Sequence, residues 1–477
     1  MRYIGLVWAL AGLLVAPGAA QTTVAPRVVT TGGTIDGSRA ADRLIFRGVA
    51  FAAPPVGPLR WQPPQPLRWS GVRRAIDRAP ACIQADYGWN RADYLFASED
   101  CLTLDIATPS LTGSRAVLVW IHGGSNHAGG PGDTVMSSLV GQGVVVVAVR
   151  YRLGTLGFLA PRSPQGTGGN YGLMDQIAAL RWVRANIARF GGDPAKVTIG
   201  GESAGAQDVG LLLAAPAARD LFRQAIMQSG TPAFGMAYRP VEQAFRLGDQ
   251  LVAALDGLDP RDASPAALVA ADGRLHDADI VHDDYLWLRT TIDGVVLPES
   301  PAALLAAAPG KPLLIGTNVR ELDIPGGRPF RDGFIAGHYG AKADAARAAY
   351  RIGGGVDPAP APRGGTIDER ISTDATFVCP ADRLARLWAG KGAPVYRYVF
   401  DDAPGGGMTS HARELSYVFG EDRAGGVHLQ DYWAAFIKTG APGGGWSGWP
   451  RRMRFDASGA TPEPAKIPTV CDLAVDL

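Results

Sequence analysis

Six apolar runs punctuate the chain: Ala116 to Ile121 (AVLVWI), Gly143 to Val149 (GVVVVAV), Lys196 to Gly200 (KVTIG), Gln224 to Gln228 (QAIMQ), Lys311 to Gly316 (KPLLIG) and Pro394 to Phe400 (PVYRYVF). Most are apolar throughout, with little polar alternation, which is the pattern of strands covered on both faces. Between the second and third, Leu173, Ile177, Leu180, Val183 and Ile187 recur at helical spacing, and Gly191 and Gly192 close the segment. Strand-like runs alternating with amphipathic helices predict an α/β fold on a mostly parallel sheet with crossover helices. Two stretches, Thr231 to Ala308 and Ile324 to Pro362, fall outside the alternation. Core strands bracket each of them, so both are expected as insertions above the sheet, not as separate domains. No repeat of solenoid type is present.

The third run ends in GGESAGA, Gly200 to Ala206. A strand that reverses into a helix within a few residues forces strained backbone angles and close contacts, which Gly201 and Gly205 relieve. Ser203 at the tip is pushed out near the free N–H groups of the helix start. The five residues from Gly201 to Gly205 also fit a solvated turn, so the other parts of a site have to decide. A serine hydroxyl is a weak nucleophile at neutral pH; it needs a base, an acid that orients the base, and donors for an oxyanion. WIHGGSN (Trp120 to Asn126) ends a strand with paired glycines, which leave backbone N–H groups unobstructed. GTNVREL (Gly316 to Leu322) and TSHAREL (Thr409 to Leu415) each follow a later strand at its C-terminal end, the edge where open α/β sheets build sites. The chain order serine, acid, histidine is the one used by this strand–turn–helix arrangement.

Composition narrows the partners. Lys plus Arg total 46 against 45 Asp plus Glu in 477 residues, and no dense basic run occurs, so nucleic acid and anionic membranes are poor candidates. The chain is 47% hydrophobic and 19% charged, an ordinary globular balance able to build a large core. MRYIGLVWALAGLLVAPGAAQ at the start has a basic tip, a short apolar stretch and small residues, so residues 1–20 read as a signal peptide, with an uncleaved anchor as the alternative. Four cysteines without a C-x-x-C pair fit an exported protein with two disulfides, and four cysteines allow three pairings.

The chain resembles type-B carboxylesterases, the cholinesterase-like branch of the α/β-hydrolases, and is similar to bacterial para-nitrobenzyl esterases. The likeness covers nearly all of residues 21–477, read as one α/β-hydrolase domain, in FRGVAFAAPPVGPLRW, SEDCLTLDI, YRLGTLGFL, GNYGLMDQIAALRWVRANIARFGGDP, IGGESAG, TIDGVVLP, GTNVRE, HARELSYVFG and YWAAFIKTGAP. It implies a nucleophile at Ser203, an acid at Glu321 and a base at His411. It also implies an oxyanion hole from the N–H groups of Gly124, Ser125 and Ala204, with Glu202 and Glu414 as supporting carboxylates. Cys82 with Cys101 and Cys379 with Cys471 match the family's bridges; Arg47 with Glu99 and Arg152 with Asp175 match its structural ion pairs. The implied activity is carboxylic-ester hydrolysis through an acyl-enzyme, with no metal or organic cofactor, on a small-molecule ester, in an exported monomer without stable membrane insertion. An amide or carbamate hydrolase, or a non-catalytic binding protein on the same fold, are the alternatives.

Ser125 and Arg150 depart from the family, which has Gly or Ala and Asn there, so the rim and floor of the site are expected to differ. Leu286 and Trp287, before the IDG element, are candidates for the acyl pocket. HDADIVHDD (His276 to Asp284) mimics a metal cluster but reads as a solvated acidic loop without a second ligand set. Trp89 reads as a packing aromatic, and His127, His338 and His428 as surface or core histidines.

Overall fold

A computed structural model describes residues 25–40, 42–162, 167–353 and 355–474. The signal-peptide reading lies outside them. Among the described residues the main sheet has eleven strands. In chain order they are β1 (Ser38–Ala40), β2 (Arg43–Ala50), β3 (Thr103–Thr108), β4 (Arg115–Ile121), β5 (Val145–Val149) and β6 (Gly192–Glu202). They continue with β7 (Gln224–Gln228), β8 (Leu313–Asn318), β9 (Val395–Asp401), β10 (Arg451–Asp456) and β11 (Gly459–Pro464). Their spatial order is β11-β10-β9-β8-β7-β6-β4-β5-β3-β2-β1. Strands β5, β4, β6, β7, β8, β9 and β10 pair in parallel, and antiparallel strands close both edges.

The unbroken apolar runs follow from burial on two sides. In β4, Val117, Val119 and Ile121 join one core cluster with Leu173, Ile177, Leu180, Val183 and Ile187 of helix α1 (Tyr171–Asn186) and its short continuation. Their neighbour Leu118 faces the other way, into a second cluster with Val146, Ala148, Ile226 and Leu314. Helix α3 (Leu429–Thr439) covers that second face with Leu429, Trp433, Phe436 and Ile437. Each fully buried aliphatic side chain contributes about 1.5–3 kcal/mol relative to exposure, so both faces need covering.

The two atypical stretches differ from each other. The first packs Leu247, Leu251, Leu268, Leu304 and Leu305 into the principal core. The second supplies the helices Arg331–Tyr339 and Ala343–Tyr350, whose Phe334, Ile335, Tyr339, Ala346 and Tyr350 build a separate cluster. That cluster also holds Ala204 and the bridge Cys379–Cys471. The second bridge, Cys82–Cys101, closes a loop near the site.

One expected ion pair is wrong. Glu99 accepts from Arg60 at 2.7 and 2.6 Å, while Arg47 faces Asp105 at 3.8 Å and Asp133 at 3.3 Å. Arg60 is fixed by the carbonyls of Pro260, Arg261 and Ala263, which orient its guanidinium toward Glu99. Arg152 and Asp175 do pair, at 2.8 Å. Arg150 is buried and bidentate to Asp105 at 3.0 and 2.9 Å, so it belongs to this scaffold.

Candidate active site

The turn after β6 is tight for a reason visible atom by atom. A methyl group on Gly205 would fall 2.1 Å from the Ile121 carbonyl oxygen, and one on Gly201 would fall 2.4 Å from Gly205. Only glycine lets helix α2 (Ala204–Ala214) start this close to the ends of β4 and β6. Ser203 sits between them at φ 54°, ψ −125°, a conformation that costs a non-glycine residue on the order of 1–3 kcal/mol. Its own N–H is tied to the Gln228 carbonyl at 2.9 Å, and the Gln207 N–H binds its carbonyl at 3.0 Å.

Two other strand ends deliver the remaining groups. Glu321 follows β8, and His411 follows β9. Their side chains meet at 2.8 Å, Nδ1 to Oε2. The far edge of the imidazole, Nε2, lies 3.1 Å from Glu202 Oε1, beside Ser203. Behind Glu321, Ser229 donates to Oε1 at 2.7 Å and the Asn318 N–H donates to the same oxygen at 2.7 Å. The Asn318 amide spans Glu321 Oε2 at 3.3 Å and Glu414 Oε2 at 2.8 Å. Gln228 donates to Glu414 at 3.1 Å and is itself held by Trp433 at 2.8 Å. Ser229, Asn318 and Gln228 escaped the sequence reading. All three end or follow core strands, and that position was the available signal.

These groups shape proton affinity. Burial disfavours a charged imidazole, but the carboxylates of Glu202, Glu321 and Glu414 outweigh it and push His411 up to about 9. Burial pushes Glu202 up to about 8, against the pull of the imidazolium. Burial raises Glu414 as well, reinforced by the charge of Glu321.

On the opposite side, the β4 end forms the turn Gly123 to Asn126. Gly124, Ser125 and Asn126 all have positive φ, at 107°, 53° and 57°. A methyl group on Gly124 would fall 2.1 Å from the Ala128 carbonyl oxygen. Among the described residues, the N–H groups of Gly124, Ser125 and Ala204 donate to no protein acceptor. Donors left unpaired in a pocket are what an oxyanion requires.

The apolar wall differs from expectation. Leu286 and Trp287 belong to the principal core, whereas Leu288, Tyr285, Phe234 and Phe377 cluster with Ala204. Phe377 lies 5.2 Å from the His411 ring and 5.6 Å from Phe234. It is carried by a π-helical turn, Thr373–Val378, whose Thr373 hydroxyl also accepts from the Glu321 N–H at 3.1 Å. π-bulges are frequent at functional sites.

Trp89 is no packing aromatic. It is 66% exposed, with its ring against Gly124 at the rim. His127 stacks on Tyr87 at 4.5 Å, and His338 is buried on Phe334. Asp277 of the acidic run is also not solvated: buried, it accepts from Arg239 and Arg289. Among the described residues no group of three or more His, Cys, Asp or Glu is placed to hold a metal.

The Carboxylesterase family profile matches residues 24–326 and 366–460. The chain belongs to the carboxylesterase family. The profile's gap falls on the second atypical stretch; the first lies within it. The chain is 33% identical to fumonisin B1 esterase of Sphingopyxis macrogoltabida, over 93% of this chain and 88% of that one. It is also 33% identical to liver carboxylesterase 1 of Oryctolagus cuniculus, over 85% and 83%. A PNB esterase structure superposes with a TM-score of 0.79 at 31% identity, covering 92% of this chain and 97% of that one. The architecture is therefore the α/β-hydrolase fold, and this carboxylesterase is a serine carboxylic-ester hydrolase.

Proposed function

We propose that Ser203, His411 and Glu321 carry the ester hydrolysis, with the N–H groups of Gly124, Ser125 and Ala204 as the oxyanion hole. The observation that carries this is the 2.8 Å contact of His411 with Glu321, which puts Nε2 on the other edge of the ring, 3.1 Å from Glu202, the residue before Ser203. His411 takes the Ser203 proton as Oγ bonds the carbonyl carbon, and the carbonyl π electrons move to oxygen. The oxyanion collapses, the C–O bond to the alcohol breaks, and His411 returns the proton to the leaving oxygen. Water then repeats the sequence on the acyl-enzyme and frees the acid and Ser203. Glu321 holds the Nδ1 proton and balances the imidazolium; Glu202 and Glu414 add to that balance.

The acyl group rests against Phe234, Leu288 and Phe377, which favours apolar acyl chains over charged ones. Export with cleavage near residue 20 is supported by the N-terminal pattern and by both disulfides. The deciding experiment is Ser203→Ala on an aryl ester, expected to lower kcat by several orders of magnitude in a folded protein. Near-normal turnover in a clean preparation overturns the assignment.

A further inference from the structure

Asn126 ends the strained turn, and its contacts lead away from the chemistry into a buried polar cluster. Its carbonyl accepts from the Gly154 N–H at 2.7 Å, and its side-chain oxygen accepts from Tyr151 at 3.3 Å. Its side-chain N–H donates to Asp208 Oδ1 at 3.2 Å. The other Asp208 oxygen accepts from Gln176 at 2.5 Å. Asn126, Asp208, Gln176 and Tyr151 are all at most 1% exposed. Asp208 has no hydrogen-bonded cation among the described residues, so a carboxylate here has only neutral donors to offset its burial.

Asp208 lies on α2, the helix whose first residue, Ala204, offers one N–H of the oxyanion hole. Asn126 directly follows Ser125, which offers another. We propose that Asp208 is a positioning residue that clamps Asn126 and so ties the two halves of the oxyanion hole to one rigid helix. Two consecutive non-glycine residues in the left-handed region persist only where surrounding contacts hold them, and the Asp208 contact is the link from this turn to α2. Burial pushes the Asp208 carboxyl up to about 7, opposed by the Gln176 and Asn126 amides, which fits a site that accepts a neutral side chain. Gln176 Oε1 has no partner among the described residues. With the Gln176 amide flipped so that Oε1 takes the place of Nε2, an asparagine at position 208 can accept from Asn126 and donate to that oxygen.

This inference rests on the serine-esterase reading, and its test separates the two. Turnover of a soluble aryl ester is measured with inhibition by an aryl trifluoromethyl ketone. Its carbonyl carbon bonds Ser203 Oγ, the serine proton passes to His411, and the carbonyl electron pair settles on an oxyanion. Asp208→Ala is expected to lower kcat roughly 10- to 100-fold, short of the 10²–10³ lost with a donor itself, with KM within a few-fold. The ketone's inhibition constant should weaken by the same factor as kcat. Asp208→Asn should restore both. If Asp208→Ala fails to fold, Asn126→Gly, which keeps the positive φ and removes the clamp, gives the same readout. A folded Asp208→Ala or Asn126→Gly protein with unchanged kcat overturns the proposal, as does a fall in kcat without weaker ketone binding, or an Asp208→Asn protein as impaired as the alanine variant. Ser203→Ala in the same assay reports on the esterase reading alone.

Discussion

Around His411 three carboxylates, Glu202, Glu321 and Glu414, converge on one imidazole, whereas around Gly124 and Ser125 the groups offered are backbone N–H groups of a turn held through Asn126 on Asp208. The first side works through charge. Its partners are side chains from three strand ends: Ser229 and Asn318 donate to Glu321, Asn318 and Gln228 donate to Glu414, and Glu202 faces the imidazole at 3.1 Å. The second side works through backbone geometry, with three positive φ angles in sequence and glycines where a methyl group would clash. Substitutions should therefore act differently on the two sides: pH-dependent around His411, nearly pH-independent around Ser125.

The sharpest break is on the charged side. Glu321→Gln keeps the shape but loses the charge and the correct imidazole tautomer, and should cost roughly 10⁴-fold in kcat on an aryl ester. A loss under about 10-fold would move the acid's role to Glu202 or Glu414. Ser125→Pro comes next, because it deletes a donor; losing one costs about 10²–10³-fold. Its thermal melt must match the parent's for the rate to be read, since proline can distort the turn. Full turnover in a folded Ser125→Pro protein would show that the oxyanion is stabilised elsewhere.

The pH profile sharpens the comparison. Only neutral imidazole accepts the serine proton, so kcat/KM should rise with pH through the His411 step. The surrounding carboxylates push that step up toward about 9, above the unperturbed histidine value of roughly 6.5. Glu202→Gln removes one of those carboxylates, so the rising limb should move to lower pH while the plateau falls. A limb that does not move excludes Glu202 from the charge balance. The smallest effect is expected for Ser125→Gly, which keeps the N–H and relaxes the left-handed strain: most of the activity should remain across the pH range. A large loss would make the hydroxyl a contact of the substrate.

Much of this was legible from local pattern. Strand runs covered on both faces, the α1 periodicity and the glycine pair around Ser203 are short-range signals, and each reappears in the fold. Site residues at strand ends were legible for the same reason, since the sheet brings its C-terminal edges together whatever the loops do. Contacts across long separations were less so. The family likeness paired Glu99 with Arg47, and only the carbonyls some 200 residues away that hold Arg60 give Glu99 to Arg60 instead. Leu286, Trp287 and Leu288 are equally apolar neighbours, and the direction of one turn sends the third toward Ala204 and the other two into the core.

The sequence by itself determined the α/β alternation, the strained serine turn and the set of groups available for ester chemistry, because those depend on residue type and spacing within a few positions. The tertiary structure alone decided how three carboxylates share one imidazole, which aromatic ring lies against His411, and how Asp208 on α2 reaches Asn126. Those outcomes depend on distances between segments far apart in the chain, and such distances exist only once the sheet has closed around its two cores.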